Sequence, residues 1–255
     1  MKKQIGFWFV GLIVLCIFGC DSKSKDITAT NSTLNSVSSN ESGVVAHNSE
    51  TISDSNNAPK PQAPAIDLSK IPAELKSDAY EYYGLGRTDP IKMTVTQNEV
   101  TKPATQVVRL TNVSNSAAEF TITNDGGLQE LGEVMVSLSK EGIRIVSVKG
   151  KKADSDTFEL PSGLVPGKSW PFKLETDDQK LTGSNVVKGT EPVTTSVETY
   201  KDALLIISTA SGSQNGQKIQ LNSKQWLVKG RGQVKAEITY VSGKNKQTVT
   251  MSETK

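Results

Sequence analysis

The sequence predicts a mostly β protein, with about twelve strands in an antiparallel curved sheet, a sandwich or a half-barrel, and one N-terminal helix. Beyond Gly86, apolar and polar residues alternate in short segments, most clearly over 234–240. This period of two is typical of strands with one buried face. Turns rich in Gly and Pro separate the segments, and no helical pattern intervenes. Short connections of this kind favour antiparallel pairing.

The first nineteen residues have the pattern of a signal peptide. Lys2 and Lys3 precede an uncharged segment of fourteen residues, 5–18. A membrane-spanning helix needs about 20 apolar residues, whereas a signal-peptide core needs fewer. Ile17-Phe18-Gly19-Cys20 resembles the lipobox of bacterial lipoproteins. The resemblance implies cleavage between Gly19 and Cys20 and attachment of lipid, including palmitate, to Cys20. An ordinary secretory signal or a short membrane anchor are the alternatives.

A lipid anchor implies a location in the bacterial cell envelope, on the inner or outer membrane, with the domain in the periplasm. Asp21 favours the inner membrane if the rule of enteric bacteria applies. Without residues 1–19 the chain has 27 basic and 27 acidic residues, because only two lysines are lost. This zero net charge argues against nucleic acid as a partner. We expect the membrane as partner through the N-terminal lipid, and a lipid or an envelope protein as the domain's partner.

Residues 20–64 predict a disordered tether behind the lipidated cysteine. They are rich in Ser, Thr and Asn, and Pro becomes frequent near their end. Such a composition cannot bury enough apolar surface to offset the entropy of the chain. A flexible coil of this length spans roughly 35–40 Å.

The composition removes most catalytic chemistry from residues 65–255. Cys16 leaves with the signal, Cys20 is lipidated, and the single histidine, His47, lies in the tether. A disulfide, a zinc thiolate site and a Ser-His-Asp triad are therefore excluded. We predict no catalytic residue, no metal and no cofactor. A hydrolase that uses carboxylates or a Ser–Lys pair is the enzymatic alternative, but paired acids such as Glu130 and Glu133 fit surface loops.

Residues 65–255 suit one domain, or two packed halves of about 65–154 and 155–255. The helix is predicted at the start, where Ile71, Leu75, Ala79 and Tyr82 recur at helical spacing before Gly84. Alternation then predicts strands around residues 108–110, 118–122, 134–138, 143–148, 157–160, 170–174, 181–187, 193–199, 203–209, 217–221, 224–228, 234–240 and 247–251.

Three motifs within about 155–240 resemble exported bacterial domains of the TapB-like type. The motifs are Leu160-Pro161 with Leu164 to Trp170, Gly189 to Val193 leading to Tyr200, and Gln225 to Lys235. The resemblance implies a curved antiparallel sheet, part-closed like half a barrel, with helical cover. It implies no catalytic residues. Leu227 and Lys229 depart from the pattern, which has an aromatic residue and a proline there.

The size of tryptophan and the conformational freedom of glycine indicate structural roles for four residues of these motifs. Trp170 and Trp226 suit buried anchors, and Gly230 and Gly232 suit a bend or bulge in a strand. Ligand contact is the alternative for all four residues.

Basic residues concentrate towards the C-terminus. Residues 215–255 hold eight basic and two acidic side chains, a net of +6, against −4 for residues 65–214, which hold 16 basic and 20 acidic. Lys229, Arg231 and Lys235 are close enough in sequence to contact an anionic ligand together. The alternative is a solvated β surface with lysines at its edges.

Together these features predict a membrane-anchored envelope lipoprotein that is not an enzyme. Its β domain would bind an apolar or amphipathic ligand, or a protein partner, in the concavity of the sheet. The alternative is a structural or assembly subunit that acts through sheet edges or a basic C-terminal face.

Overall fold

The computed structural model describes residues 67–153, 156–175, 179–214 and 216–255 of the 255-residue chain. The predicted signal peptide, its cleavage site at Gly19, the lipidated Cys20 and the tether lie outside the described residues. The described part is mostly β, as the sequence predicts.

A broken helical segment precedes the sheet. It contains two 3₁₀ helices, Leu68–Lys70 and Ala73–Leu75, and one α-helix, α1, at Asp78–Tyr83. The single longer helix of the sequence prediction is therefore wrong. Ile71 is extended, as expected for the residue before a proline, and Ser77 is extended before α1. The side chains at the predicted helical spacing are nevertheless buried.

Thirteen strands follow, against about twelve predicted. They are β1 (Ile91–Gln97), β2 (Val100–Val113), β3 (Ala118–Gly126), β4 (Glu133–Ser139), β5 (Gly142–Val148), β6 (Lys151–Lys152), β7 (Leu160–Pro161), β8 (Ser169–Glu175), β9 (Gln179–Thr194), β10 (Thr199–Gln214), β11 (Gln217–Val228), β12 (Gly232–Ser242) and β13 (Asn245–Glu253). A third 3₁₀ helix, Gln129–Leu131, lies between β3 and β4.

Some strand boundaries differ from the prediction. The sequence analysis missed β1, although Ile91, Met93 and Val95 alternate with polar residues and are buried. The strand predicted at 193–199 is wrong, because Thr195 and Glu198 close a hairpin turn between β9 and β10 through a backbone hydrogen bond of 3.0 Å. The strand predicted at 157–160 shrinks to the two residues of β7.

All strands belong to one antiparallel sheet made of two meanders. In the first meander β1 to β5 are consecutive neighbours, and β6 and β7 both pair with β5. In the second, β8 to β13 are consecutive neighbours. Pairing of β1 with β13 joins the two meanders, with Met93 opposite Glu253. The predicted ranges 65–154 and 155–255 thus contribute to a single sheet.

The connection between β7 and β8 forces this sheet to curl. These strands lie at opposite edges of the sheet, yet only seven residues, 162–168, connect them. A connection of that length reaches at most roughly 28 Å. Ten or eleven strand intervals of about 4.8 Å would separate the edges of a flat sheet by roughly 50 Å. The two edges must therefore approach each other, but no ladder hydrogen bonds join β7 to β8 within the described sheet.

The helix α1 contacts β5 and β7 near one edge of the sheet, and β11 and β12 in the second meander. At its start, the Asp78 carboxylate accepts a hydrogen bond of 2.8 Å from the Gly163 amide and another from Leu164. The Ser162 hydroxyl donates to that of Ser77 at 2.9 Å. The connection between the edges is thereby fixed to the helix.

The end of α1 is held by the turn between β11 and β12. The Gly230 amide donates to the Glu81 carbonyl at 2.9 Å. Gly84 and Gly232 both have positive φ angles, of 75° and 84°. A Cβ atom on Gly232 would lie 2.8 Å from the Tyr83 carbonyl oxygen, and one on Gly84 would lie 2.8 Å from the Arg231 carbonyl carbon. Two glycines therefore permit the helix and the turn to approach backbone to backbone.

The apolar core has two parts. The large cluster extends from Ile71 through both meanders to Met251 and packs inside the curled sheet against α1. A smaller cluster contains Val193, Tyr200, Ala203, Leu205, Trp226 and Val234. Bulges between Tyr200 and Ala203 and between Leu205 and Ile206 bend the β9–β10 hairpin at this second cluster.

We expect Gly232→Ala to destabilise the domain more than Gly150→Ala does. Both positions have positive φ, which costs alanine about 1–2 kcal/mol. A Cβ at Gly150 would meet nothing within 4 Å, whereas at Gly232 it would collide with the backbone of Tyr83. Overpacking of this kind adds about 1–3 kcal/mol. Urea denaturation of the two variants measures the difference, and equal losses would refute the close packing of α1 on the turn.

Candidate functional site

A cavity of about 50 Å³, partly open to solvent, is lined by residues of α1 and of both meanders. By the volume that a water-sized probe occupies, this is room for roughly four water molecules. Its walls come from α1 and from strands of both meanders. The lining residues are Tyr82, Tyr83, Ile91, Gln106, Val108, Ile122, Glu159, Leu160, Trp170, Asn185, Ile206, Gln225, Leu227 and Gln233.

The cavity lies at the seam between β7 and β8. Glu159 and Leu160 come from the β7 side of this seam, and Trp170 comes from the β8 side. Tyr82 and Tyr83 reach the cavity from the last turn of α1. The side chains around the seam are therefore three aromatic rings and one carboxylate.

Four amides add polar groups to the apolar wall. The Gln106 amide donates to the Asn124 side-chain oxygen at 2.7 Å, which fixes its orientation. The Gln233 nitrogen lies 4.0 Å from the Met251 sulfur, a weak contact. Asn185 is 7% exposed and Gln225 is partly buried. Amide groups at these positions give the wall both donors and acceptors.

Trp170 is buried, with 7% of its surface exposed, and its indole N–H has no hydrogen-bond partner among the described residues. A buried donor without an acceptor costs about 1–3 kcal/mol. Trp170 was predicted from the sequence as a buried anchor, and its apolar ring does pack in the main cluster. Trp170 also lines the cavity, and neither this position nor the unpartnered N–H is revealed by the sequence.

Glu159 is the only carboxylate among the described residues that line the cavity. Burial raises its pKa from the usual value near 4.5 to about 7. Its backbone amide donates to the Ile143 carbonyl at 2.9 Å. No cation or hydrogen-bond donor of the described part offsets that burial at the carboxylate. Among the described residues, no partner compensates the charge of the ionised Glu159 carboxylate.

Sequence reasoning missed Glu159, and the reason is local. Alternation over 157–160 assigns Glu159 to the face opposite Leu160, which suggests a solvated side chain. The strand is only Leu160–Pro161, so alternation does not govern the residue before it. Phe158 and Arg144 stack at 3.9 Å next to this position. No pattern of residue types marks Glu159 in the sequence.

The predicted structural residues lie in different places. Trp226 belongs to the second cluster, and its indole N–H donates to Glu191 at 2.7 Å. Gly230 and Gly232 form the turn between β11 and β12, with the strand bulge itself between Trp226 and Leu227. Trp170 alone of these four lines the cavity.

The three basic residues suggested as anionic-ligand contacts lie near one another, but two of them have carboxylate partners. Arg231 pairs with Glu253 at 2.9 Å and with Glu198 at 3.9 Å. Lys235 pairs with Glu237 at 3.1 Å and lies over the Trp226 ring. Lys229 is exposed, with its ammonium 5.6 Å from the centre of the Tyr82 ring.

Glu253 is a second carboxylate that sequence reasoning missed. It is 2% exposed and accepts hydrogen bonds from Tyr200 at 2.7 Å, Arg231 at 2.9 Å and Arg87 at 3.0 Å. Burial alone would raise the pKa of Glu253, but these three donors outweigh it and lower the pKa below its ordinary value. This arrangement joins β13, β10, the β11–β12 turn and the segment after α1.

The outermost strands are poor partners for another sheet, but residues 188–194 of β9 extend beyond β8 without a ladder partner on that side in the described sheet. β6 consists of Lys151 and Lys152 alone, and β7 is also two residues long. On the other edge, β8 contains Pro171, which has no amide hydrogen to donate. Short edges, lysines and prolines all discourage pairing with another sheet.

No group of three or more His, Cys, Asp or Glu residues within the described ranges is arranged to hold a metal ion. The helices of those ranges are also too short or too polar to cross a membrane.

No protein-family model matches the sequence, and no curated protein does. Among solved structures, the chain is similar to an exported-protein candidate from Bacteroides fragilis with a YmcC-like fold, at 11% identity and a TM-score of 0.43. That similarity covers 66% of this chain and 94% of the other. A lipoprotein candidate from Parabacteroides distasonis is similar at 12% identity and a TM-score of 0.43, covering 68% and 96%. The TapB-like resemblance stays an interpretation of the motifs.

Glu159→Gln is expected to change how stability depends on pH. The folded pKa of about 7 exceeds the unfolded value, so the wild-type chain loses stability as pH rises from about 4.5 through 7. The variant lacks this loss, and the difference should reach up to about 3 kcal/mol at pH 8 in the variant's favour. Urea denaturation between pH 5 and pH 8 measures it. A difference that does not vary with pH would contradict the burial of an uncompensated carboxylate.

Proposed function

We propose that this protein is a lipoprotein of the bacterial cell envelope, held to a membrane by lipid on Cys20. Its β domain binds an amphipathic ligand without chemical conversion. The observation that carries the proposal is the cavity lined by Glu159 and Trp170, whose carboxylate and indole N–H have no compensating partner among the described residues. Without a partner, both groups lower the stability of the fold, and a ligand that hydrogen-bonds or pairs with them removes this penalty.

The proposal includes no catalytic step. Acid–base catalysis by carboxylates requires a second group placed opposite the first. Among the described lining residues Glu159 has no such carboxylate partner, and residues 65–255 contain no histidine or cysteine. The cavity is therefore better suited to recognition than to turnover.

A structural or assembly role is the second candidate, and the geometry supports it less. Pairing through sheet edges meets β6 and β7, which are two residues long, or β8 with its proline. The basic C-terminal face has two of its three central cations already paired with carboxylates. A protein partner would therefore need the edge of β9 at residues 188–194 or another surface.

The cavity is small for an acyl chain. About four water volumes match a polar head group or a chain end, so a longer ligand would extend through the seam between β7 and β8. The helix α1 and the connection at 162–168 are the elements beside that seam. We therefore assign the head of an amphipathic ligand to the interior and its remainder to the seam.

Cys20→Ala is expected to abolish incorporation of labelled palmitate in cells. The thiol of Cys20 is the attachment atom in this proposal, so no other residue can replace it. Cys16→Ala is the matched control, because Cys16 lies in the same apolar segment and should leave labelling intact. Label that persists in Cys20→Ala, or vanishes equally in both variants, would refute the anchor.

Val108→Phe is expected to displace the ligand by filling the cavity. Val108 is partly buried and lines the cavity from β2, whereas Val107, its neighbour on the strand, does not line it. Native mass spectrometry of the full protein, released from nonionic detergent after extraction from cell envelopes, should detect a retained small molecule. We expect at least about a tenfold lower occupancy in Val108→Phe and unchanged occupancy in Val107→Phe. Absence of any adduct on the wild-type protein would refute ligand binding.

A further inference from the structure

The seam residues of the cavity have a specific chemical character. Glu159 brings a carboxylate that no described cation neutralises, and Tyr82, Tyr83 and Trp170 bring aromatic rings. A carboxylate among aromatic faces is the environment that an organic ammonium ion prefers, through charge pairing and cation–π attraction. Anionic ligands are disfavoured, because they would meet the same carboxylate.

The volume of the cavity limits which organic ammonium ions can enter it. The cavity holds about four water-sized groups, and a bulky quaternary ammonium needs more room than a primary one. A primary ammonium also donates hydrogen bonds, which both the Glu159 carboxylate and the amide oxygens of the wall can accept. The chemistry therefore favours a short primary amine over a tetraalkyl ammonium.

Trp170 adds a second requirement. Its indole N–H is a donor without an acceptor among the described residues, and Trp170 lines the same cavity as Glu159. A ligand that carries an oxygen within a few bonds of its ammonium group would satisfy both side chains. Amino alcohols and the head groups derived from them have this arrangement.

We propose that the cavity recognises a small primary ammonium group that bears a nearby hydroxyl or ether oxygen. Glu159 pairs with the ammonium, the Trp170 N–H donates to the oxygen, and Tyr82 and Tyr83 flank the charge. This inference rests on the proposed binding function and names its ligand class. An aminoalkyl lipid head group and a free amino alcohol share this chemistry.

Lys229 is the cation that could take the place of the ligand's ammonium group, since its own ammonium lies 5.6 Å from the centre of the Tyr82 ring. Lys229 is exposed, however, and it does not line the cavity. The titratable groups that share the cavity with Glu159 are the Tyr82 and Tyr83 phenols. Burial raises the pKa of both, so they stay neutral through the neutral range.

Ethanolamine tests the inference, with ethylene glycol as its neutral isostere and tetramethylammonium as the larger cation. The full chain in nonionic detergent is titrated while the Trp170 indole N–H resonance is followed by NMR, assigned through Trp170→Phe. For a ligand of four heavy atoms a millimolar dissociation constant is reasonable. The dissociation constant of ethanolamine, obtained from the shift of this resonance, should be at least about tenfold lower than that of ethylene glycol or tetramethylammonium.

Glu159→Gln should weaken ethanolamine binding at least about tenfold, whereas Glu74→Gln, at an exposed position, should not change it. Binding should also weaken as pH falls below about 7, because the carboxylate is then protonated. Equal binding of ethanolamine by wild type and Glu159→Gln would overturn the assignment. A resonance that ethanolamine does not move would overturn it too.

The two experiments distinguish a failure of ligand binding from a failure of the ammonium assignment. If Val108→Phe still removes a retained ligand while ethanolamine has no effect, the cavity binds but its ligand is not an ammonium compound. If the wild-type protein retains nothing and ethanolamine does not bind, both are wrong. Extraction of the retained molecule with organic solvent distinguishes the two sources, since an aminoalkyl lipid partitions into it and a free amino alcohol does not.

Discussion

The seven-residue connection between β7 and β8 is the constraint on which this domain depends. It joins opposite edges of a thirteen-stranded sheet, so the sheet can exist only in a curled form. Curling brings the inner faces of the two meanders together and creates the main core. The same curling leaves one seam without ladder hydrogen bonds, and α1 occupies that side. The cavity lies inside the curled sheet, and residues of α1, β7 and β8 line part of it.

A buried carboxylate supplies the second fixed point. Glu253 gathers one phenol and two guanidinium groups from three other parts of the chain. Removing one partner of a buried ion pair typically lowers the free energy of unfolding by roughly 3–5 kcal/mol, because the remaining charge loses its compensation. Glu253 and Glu159 are thus opposite cases. The first has three donors and a lowered pKa, while the second has no donor among the described residues and a raised pKa.

The sequence was sufficient for the fold class because alternation and turn residues are local signals. Val234 to Tyr240 alternate in the sequence and are buried and part-exposed in turn within β12. Local signals could not reveal which strands lie at the edges, since the pairing of β1 with β13 joins residues far apart in the chain. They also could not identify Glu159, because its environment is built by residues from α1, β2, β8 and β11. Closeness in sequence suggested an anion site at Lys229, Arg231 and Lys235. It could not reveal the carboxylates that pair with two of these residues.

The position of β13 has a consequence for the order of folding. It is the last of the described strands, yet it lies at the centre of the sheet between β1 and β12. Each meander can form from contacts between sequence neighbours, which close quickly, but their junction must wait for residues about 160 positions apart. Until the junction forms, β1 and β13 both present unpaired backbone groups. A chain whose two meanders have formed but have not yet joined is therefore the species most exposed to mispairing with another sheet.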